Sequence, residues 1–345
     1  MLDSRSRSLK EDDKDNIIAL ISCYQWRTNV YFVFPFVDGD LNQVLRQGWT
    51  PPGVAEVRDP ALPEYWLWKQ IGDVCEALET IHTGLTNHRD ERKVIAFHFD
   101  LKPANLLVTW NGILKITDFG QSLIQVVDDG EEATGEYTTG DFVYQAPESK
   151  PSREVLEAAR ADMVSSHPHA RMVFLNYDIW PVACIMTEIL TNFYNTAPDQ
   201  PPTACQRLDL QRKVEGPSDA YYGIAEGKPY LKRCVTDTLE AFRRESPHDY
   251  ALQKYTGCIV DLILSMFRID PALRIHSDDV VEALAAASTV YDDARKRPDD
   301  KVFKRMKERG LSDEEGFVEL GWLRDSSMTS FLELCVLLQH RIGPL

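Results

Sequence analysis

The stretch VIAFHFDLKPANLLVTWNGILKITDFGQS, residues 94–122, carries the densest chemistry in the chain. Asp100 and Asp118 each sit beside a phenylalanine, Lys102 follows the first aspartate by two residues, and Asn105 follows the lysine by three. Residues 106–108 and 114–117 are β-rich, and Asn111-Gly112 between them is a strong hairpin signal. Asp100, Lys102 and Asn105 therefore share one loop before a strand, while Asp118 closes the hairpin. Gly120 lets the backbone turn sharply just beyond it. Such a set can orient a hydroxyl proton (Asp100), neutralise a transferring phosphoryl group (Lys102) and offer Mg²⁺ hard oxygen ligands (Asn105, Asp118). It also reads as a polar loop, a hairpin and a surface lysine, and spacing alone favours that plainer reading.

Outward from this stretch the period of the pattern changes. Upstream, residues 17–21 and 30–34 are expected strands, with residues 25–29 as the turn and Pro35 as a stop. Leu67, Ile71, Val74, Cys75, Leu78 and Ile81 fall on one helical stripe, so residues 63–82 form an amphipathic helix with Gly84 suited to its C-cap. Downstream, residues 128–139 are acidic and rich in Gly and Thr, the composition of a mobile loop. Residues 154–163 are an expected helix. NYDIWPVACIMTEIL is nearly all apolar beyond Asp178, which can cap a helix buried on every side. Residues 192–229 read as loop-rich, residues 255–267 and 277–287 as helices, and residues 330–340 as a further helix.

The bulk numbers set limits. With 345 residues, 43% of them apolar, the chain reads as a globular protein with one large core or two lobes. A net charge of −16 argues against nucleic acid and acidic membrane surfaces as partners. Seven scattered cysteines without a CxxC pair, no apolar leader and no apolar run of spanning length give an intracellular expectation, cytoplasmic or nuclear.

HFDLKPANLL, then KITDFG, then YQAPE resemble the catalytic loop, metal-binding segment and activation-segment end of eukaryotic protein kinases. Three ordered motifs are far more specific than any one of them. DIW opens the apolar helix as in that family's central helix, and DPALR places Arg274 where the family pairs an arginine with the glutamate of its APE motif, here Glu148. The resemblance covers residues 16–287, with insertions at 86–93, 150–172 and about 195–250. It implies an α+β, protein-kinase-like fold: a remnant small β lobe over residues 1–35, a mostly helical C-terminal lobe over 36–290 and an extension over 291–345. It also implies ATP-dependent phosphorylation of Ser/Thr in a protein substrate, with Mg²⁺. Asp100 is then the catalytic base, Lys102 steadies the γ-phosphate, and Asn105 and Asp118 hold the metal. Phe34 is the gatekeeper, the backbone at Phe36 and Val37 meets adenine, His98 and Phe119 join a hydrophobic column, and Asp178 ties the loop of His98 to the central helix.

The sequence also departs from the family pattern. Phe99 stands where many kinases carry arginine, which removes the anchor for a phosphate on the activation segment. Asp141 replaces a threonine, so a second carboxylate can repel Asp100 or compete for Lys102. Ala183 replaces a glycine and favours the helix slightly. The glycine-rich loop, the strand lysine and its helix glutamate have no counterpart in the sequence. Two strands leave their apolar faces without partners, to be covered by the segment after residue 291, by a partner chain, or by sequence missing from an incomplete kinase; the last is the expectation here. The alternative is a pseudokinase or scaffold that binds partners without catalysis; a small-molecule kinase fits the activation segment less well.

Overall fold

A computed structural model of the chain describes residues 16–54, 60–83, 85–86, 92–128, 134–137, 140–149, 171–194, 201–216, 218–245 and 250–296. The expected helices at 154–163 and 330–340, the cap at Gly84 and most of the extension lie outside these residues. The fold is α+β: a small, fragmented N-terminal β region followed by a mostly helical C-terminal region.

The most buried element lies at the centre of the core. Helix α3 (Ile179–Phe193) is buried from Ile179 through Thr191, as its uninterrupted apolar sequence requires. It packs on α6 (Tyr250–Met266), which packs in turn on α7 (Ser277–Lys296), and α7 meets α2 (Trp66–Thr83). The stripe expected on α2 is the one buried, from Leu67 through Ile81, and Trp68 adds a buried indole that donates to the Tyr255 hydroxyl at 2.7 Å. Helix α7 runs nine residues past its expected end at 287, to Lys296, because Tyr291 still buries against Tyr255.

The loop-rich expectation for residues 192–229 is corrected. Helix α4 (Ala204–Glu215) opens on a capping box, Thr203 accepting from the Gln206 amide while the Gln206 side chain returns to Thr203. A hairpin, β11 (Tyr222–Ala225) with β12 (Lys228–Leu231), turns at Glu226-Gly227, both at positive φ. Helix α5 (Arg233–Glu245) follows and buries Val235, Leu239 and Phe242.

Two three-stranded sheets frame the loop of Asp100. One has the order β3 (Gly39–Asp40), β6 (Leu106–Val108), β7 (Leu114–Ile116), and the other β4 (Leu85–Thr86), β5 (Lys93–Phe97), β8 (Leu123–Val127). The Asn111-Gly112 turn joins β6 to β7, with Gly112 at φ 84 and its amide donating to Thr109. Part of the segment read as a loop over 128–139 is instead strand β9 (Thr134–Tyr137), paired antiparallel with β10 (Arg171–Phe174).

The N-terminal strands are also displaced from expectation. The hairpin is β1 (Ser22–Trp26) with β2 (Asn29–Val33), turning at Arg27-Thr28. Ile17 instead bridges Ile116 in parallel, and Asn16 donates its amide to Leu114 at 2.7 Å. Every residue of the hairpin is exposed, including Trp26 and Phe32. Among the described residues no helix is long and apolar enough to cross a membrane.

Arg274 and Glu148 lock the YQAPE segment to the helical region. The guanidinium makes a bidentate pair at 2.6 and 2.9 Å and also donates to the carbonyls of Arg268 and Asn176. Arg274→Ala should lower unfolding stability by about 3–5 kcal/mol, measured by urea denaturation, because it strands Glu148 and takes the donor from the carbonyls of Arg268 and Asn176.

Candidate active site

The site is built on one buried carboxylate. Asp178 is fully buried at the head of α3, where the sequence expectation made it a helix cap. It makes no cap bond. Its oxygens accept instead from the backbone amides of His98 at 2.7 Å and Phe99 at 3.0 Å, and His82 Nε2 lies 3.2 Å away. His82 is in turn 3.2 Å from the Ser277 hydroxyl, so α2, α3 and α7 meet at this point. No local signal marks His82, because its partner is 96 residues away.

Held this way, Phe99 takes a left-handed φ of 65, rare for a bulky residue, and the chain turns directly into Asp100. The His98 imidazole packs edge-on against the Phe119 ring at 4.9 Å and bonds the Thr117 carbonyl at 2.9 Å. Burial pushes its pKa below the ordinary value, against the pull of Asp178.

Both oxygens of Asp100 are engaged. Oδ1 accepts from the Asp141 amide at 2.8 Å, while Oδ2 accepts from Asn105 Nδ2 and pairs with Lys102 Nζ, both at 2.9 Å. Asn105 also donates to the Asp100 carbonyl at 2.8 Å, which commits its NH₂ group to the loop. Lys102 lies 3.5 Å from Asp141 as well, so the lysine stands between the two carboxylates. Burial works against the lysine's charge, yet Asp100 and then Asp141 raise its pKa above the ordinary value. The conflict expected between Asp141 and Asp100 is thus relieved by a shared cation and by the Asp141 backbone amide.

Asp118 is exposed at the end of β7, with φ 60, and its Oδ1 accepts from Gly120 at 3.3 Å. The left-handed residue is the aspartate and not the glycine, which corrects the expected reason for the turn. A Cβ at Gly120 would lie 3.0 Å from Asp118 Oδ1, so a larger residue there would press on that carboxylate. Phe34 and Phe36 are exposed and Val37 is half-buried, on the stretch between β2 and β3, outside this hydrogen-bond network.

A cleft of about 180 Å³ opens beside Asp141, lined among others by Arg46, Val143, Tyr144, Asp209 and Arg212. Arg46 bridges Glu188, at 2.8 and 3.1 Å, and Asp209, at 3.1 Å. Burial opposes its charge, but Glu188 overrides that and raises its pKa. Glu188 also accepts from the hydroxyls of Tyr144 and Tyr221, so a buried network missed in the sequence braces the cleft from α3.

The donor set fits a phosphate-bound divalent ion. Asn105 spends its nitrogen on Asp100, which leaves its carbonyl oxygen as an acceptor, and Asp118 is exposed with an oxygen to give. Two hard oxygens are what Mg²⁺ takes when phosphates and water complete its shell. Among the described residues no group of three or more His, Cys, Asp or Glu forms a metal cage.

The protein kinase domain family matches residues 6–284, and the chain belongs to that family. Its fold and its similarity to Ser/Thr-type members place it in the eukaryotic branch. It is 27% identical over 297 residues to mitogen-activated protein kinase 5 of Arabidopsis thaliana, covering 86% of this chain and 66% of that one. It is 28% identical over 278 residues to mitogen-activated protein kinase 4a of Physcomitrium patens, covering 77% and 60%. Over 189 residues it is 29% identical to human cyclin-dependent kinase-like 4, covering 54% and 38%. The chain therefore spans less than two thirds of the length of these relatives.

Asp178→Ala should destabilise the protein by about 2–4 kcal/mol in chemical denaturation, since two buried amides lose a charged acceptor. Asp178→Asn keeps the volume and one acceptor oxygen, and should lose less.

Proposed function

We propose that the protein transfers the γ-phosphoryl group of ATP to serine or threonine hydroxyls of a protein substrate. The observation that carries this reading is the Asp100–Lys102–Asn105 loop, with the base fixed through both carboxylate oxygens beside a lysine. In this reading Asp100 accepts the proton of the attacking hydroxyl as its oxygen forms the new bond to phosphorus and ADP departs. Lys102 places its charge where the transferring group passes. Mg²⁺, held by Asn105 and Asp118, would neutralise charge on the nucleotide phosphates. Phe34 and the backbone at Phe36 and Val37 receive the adenine. The protein substrate approaches over Asp141 and the cleft next to it. Residues 36–290 act as the catalytic lobe, and residues 1–35 supply what small lobe there is, in an intracellular protein.

A second reading is favoured by one observation: both faces of the β1–β2 hairpin are exposed, with Trp26, Val30 and Phe32 all more than half exposed. A face of that kind suits a partner chain, as in a pseudokinase or scaffold.

Calorimetry with Mg-ATP separates the two. Binding that Asp118→Ala abolishes, with transfer to a generic Ser/Thr protein substrate, is the expected result; Asp100→Asn should then lower kcat by about 10²–10⁴-fold. A folded chain that binds no nucleotide would leave the scaffold reading standing.

A further inference from the structure

The segment between Asp118 and Glu148 must present Asp141 to Asp100, and the residue before Asp100 is a phenylalanine. The phenyl ring of Phe99 is buried and stacks on Phe97 at 5.1 Å. Tyr137, from β9, meets the same ring edge-on at 5.4 Å and packs against Tyr177 at 5.1 Å. Phe99 in turn meets Tyr177 edge-on at 5.4 Å, so four rings from three parts of the chain close into one cluster. Tyr177 precedes Asp178, so the cluster stands on the carboxylate that positions the Asp100 loop.

Gly140 packs back on two residues of the cluster. A Cβ at Gly140 would lie 2.4 Å from the Phe99 carbonyl oxygen and 2.8 Å from the Tyr137 hydroxyl oxygen, so that position closes only with glycine. The next amide, that of Asp141, donates to Asp100 Oδ1 at 2.8 Å. The Tyr137 hydroxyl also lies 3.5 Å from Gln145 Oε1, beyond the turn. A Cβ at Gly135 would lie 2.8 Å from the Phe97 ring, which fixes the other end of β9 on the cluster.

We infer that Tyr137 is a positioning residue: its ring, clamped between Phe99 and Tyr177, holds Gly140 and Asp141 where the Asp141 amide orients the Asp100 carboxylate. The activation segment is thereby held by aromatic packing, a contact that a phosphate on that segment is not needed to form. The consequence for turnover rests on the phosphoryl-transfer reading, whereas the clamp itself does not.

Hydrogen exchange on the full chain tests the clamp without any catalysis. Tyr137→Ala should speed exchange of the Asp141 amide by about tenfold or more, since aromatic pairs lose their geometry as well as their area. Amides of α3 should keep their protection, and Tyr137→Phe should behave as the parent. Unchanged protection of Asp141 in the alanine variant overturns the inference, and so does an equal loss in the phenylalanine variant. If Tyr137→Ala fails to fold, Phe99→Leu removes the opposing ring and must give the same local release. Where the parent chain transfers phosphate, Tyr137→Ala should lower kcat at least tenfold with the KM for ATP unchanged, and Tyr137→Phe should restore it. A parent chain without transfer refutes the phosphoryl-transfer reading, while the exchange result still decides the clamp.

Discussion

The geometry of the site depends on a carboxylate buried in the core. An unpaired charge with no solvent access is costly, and Asp178 avoids that cost through two backbone amides and a histidine. Those amides belong to the two residues before Asp100, so the groups that make Asp178 tolerable also set the direction of the Asp100 loop. The cost of losing the arrangement falls on α3, the most buried helix. Packing and site geometry are coupled here because both pass through one side chain.

The same logic orders the charges around Asp100. Two carboxylates close together repel, and a lysine between them at 2.9 and 3.5 Å converts the repulsion into a three-centre attraction. Asp141 is only partly exposed, and its own Oδ1 is occupied by the Val143 amide at 2.9 Å. Asn105 completes the set by donating twice to Asp100, which closes the loop on itself. A threonine hydroxyl at position 141 would bring no charge. The aspartate brings one, and its effect is confined because Lys102 is already committed to Asp100 at the shorter distance.

The parts legible in the sequence are those whose signals are local. The buried stripe of α2, the all-apolar α3 and the Asn-Gly hairpin each follow from period or turn chemistry. The loop of Asp100, Lys102 and Asn105 was legible as a constellation, but only the ordered motifs around it separated it from an ordinary polar turn. Helix α4 carried a readable Thr-x-x-Gln capping box and was missed because its surroundings are polar. What the sequence hid were partners far apart in the chain. His82 with Asp178, and Arg46 with Glu188 and Asp209, leave no periodic trace, and strand β9 pairs with a segment more than 30 residues away. The first strand lies elsewhere for a related reason: residues 17–21 have strand propensity, yet the chain satisfies it at Ile116, whose amide donates to the Asn16 carbonyl and whose carbonyl accepts from Ile18, which leaves Ser22–Trp26 to form the hairpin.

That hairpin is where the physics of the fold bears on binding. Two strands alone are marginal in water, and this pair is steadied by a stacked Tyr24–Tyr31 cross-strand contact at 5.2 Å and by the Ile21 amide on Val33. Its attachment to the helical region runs through Asn16, Ile17 and Ile18 on one side and the stretch from Phe34 to β3 on the other. In the phosphoryl-transfer reading, a nucleotide received at Phe34–Val37 would also restrain the hairpin that leads to it, at a cost in binding free energy. On the same reading, linkage would make a nucleotide there and a cover on the hairpin strengthen one another's binding. The helical region needs no such help, since its loop geometry is fixed by Asp178 and its activation segment by Arg274 and the Tyr137 rings. The contacts that set the Asp100 loop are thus internal to the helical region, whereas the hairpin leaves its apolar faces exposed.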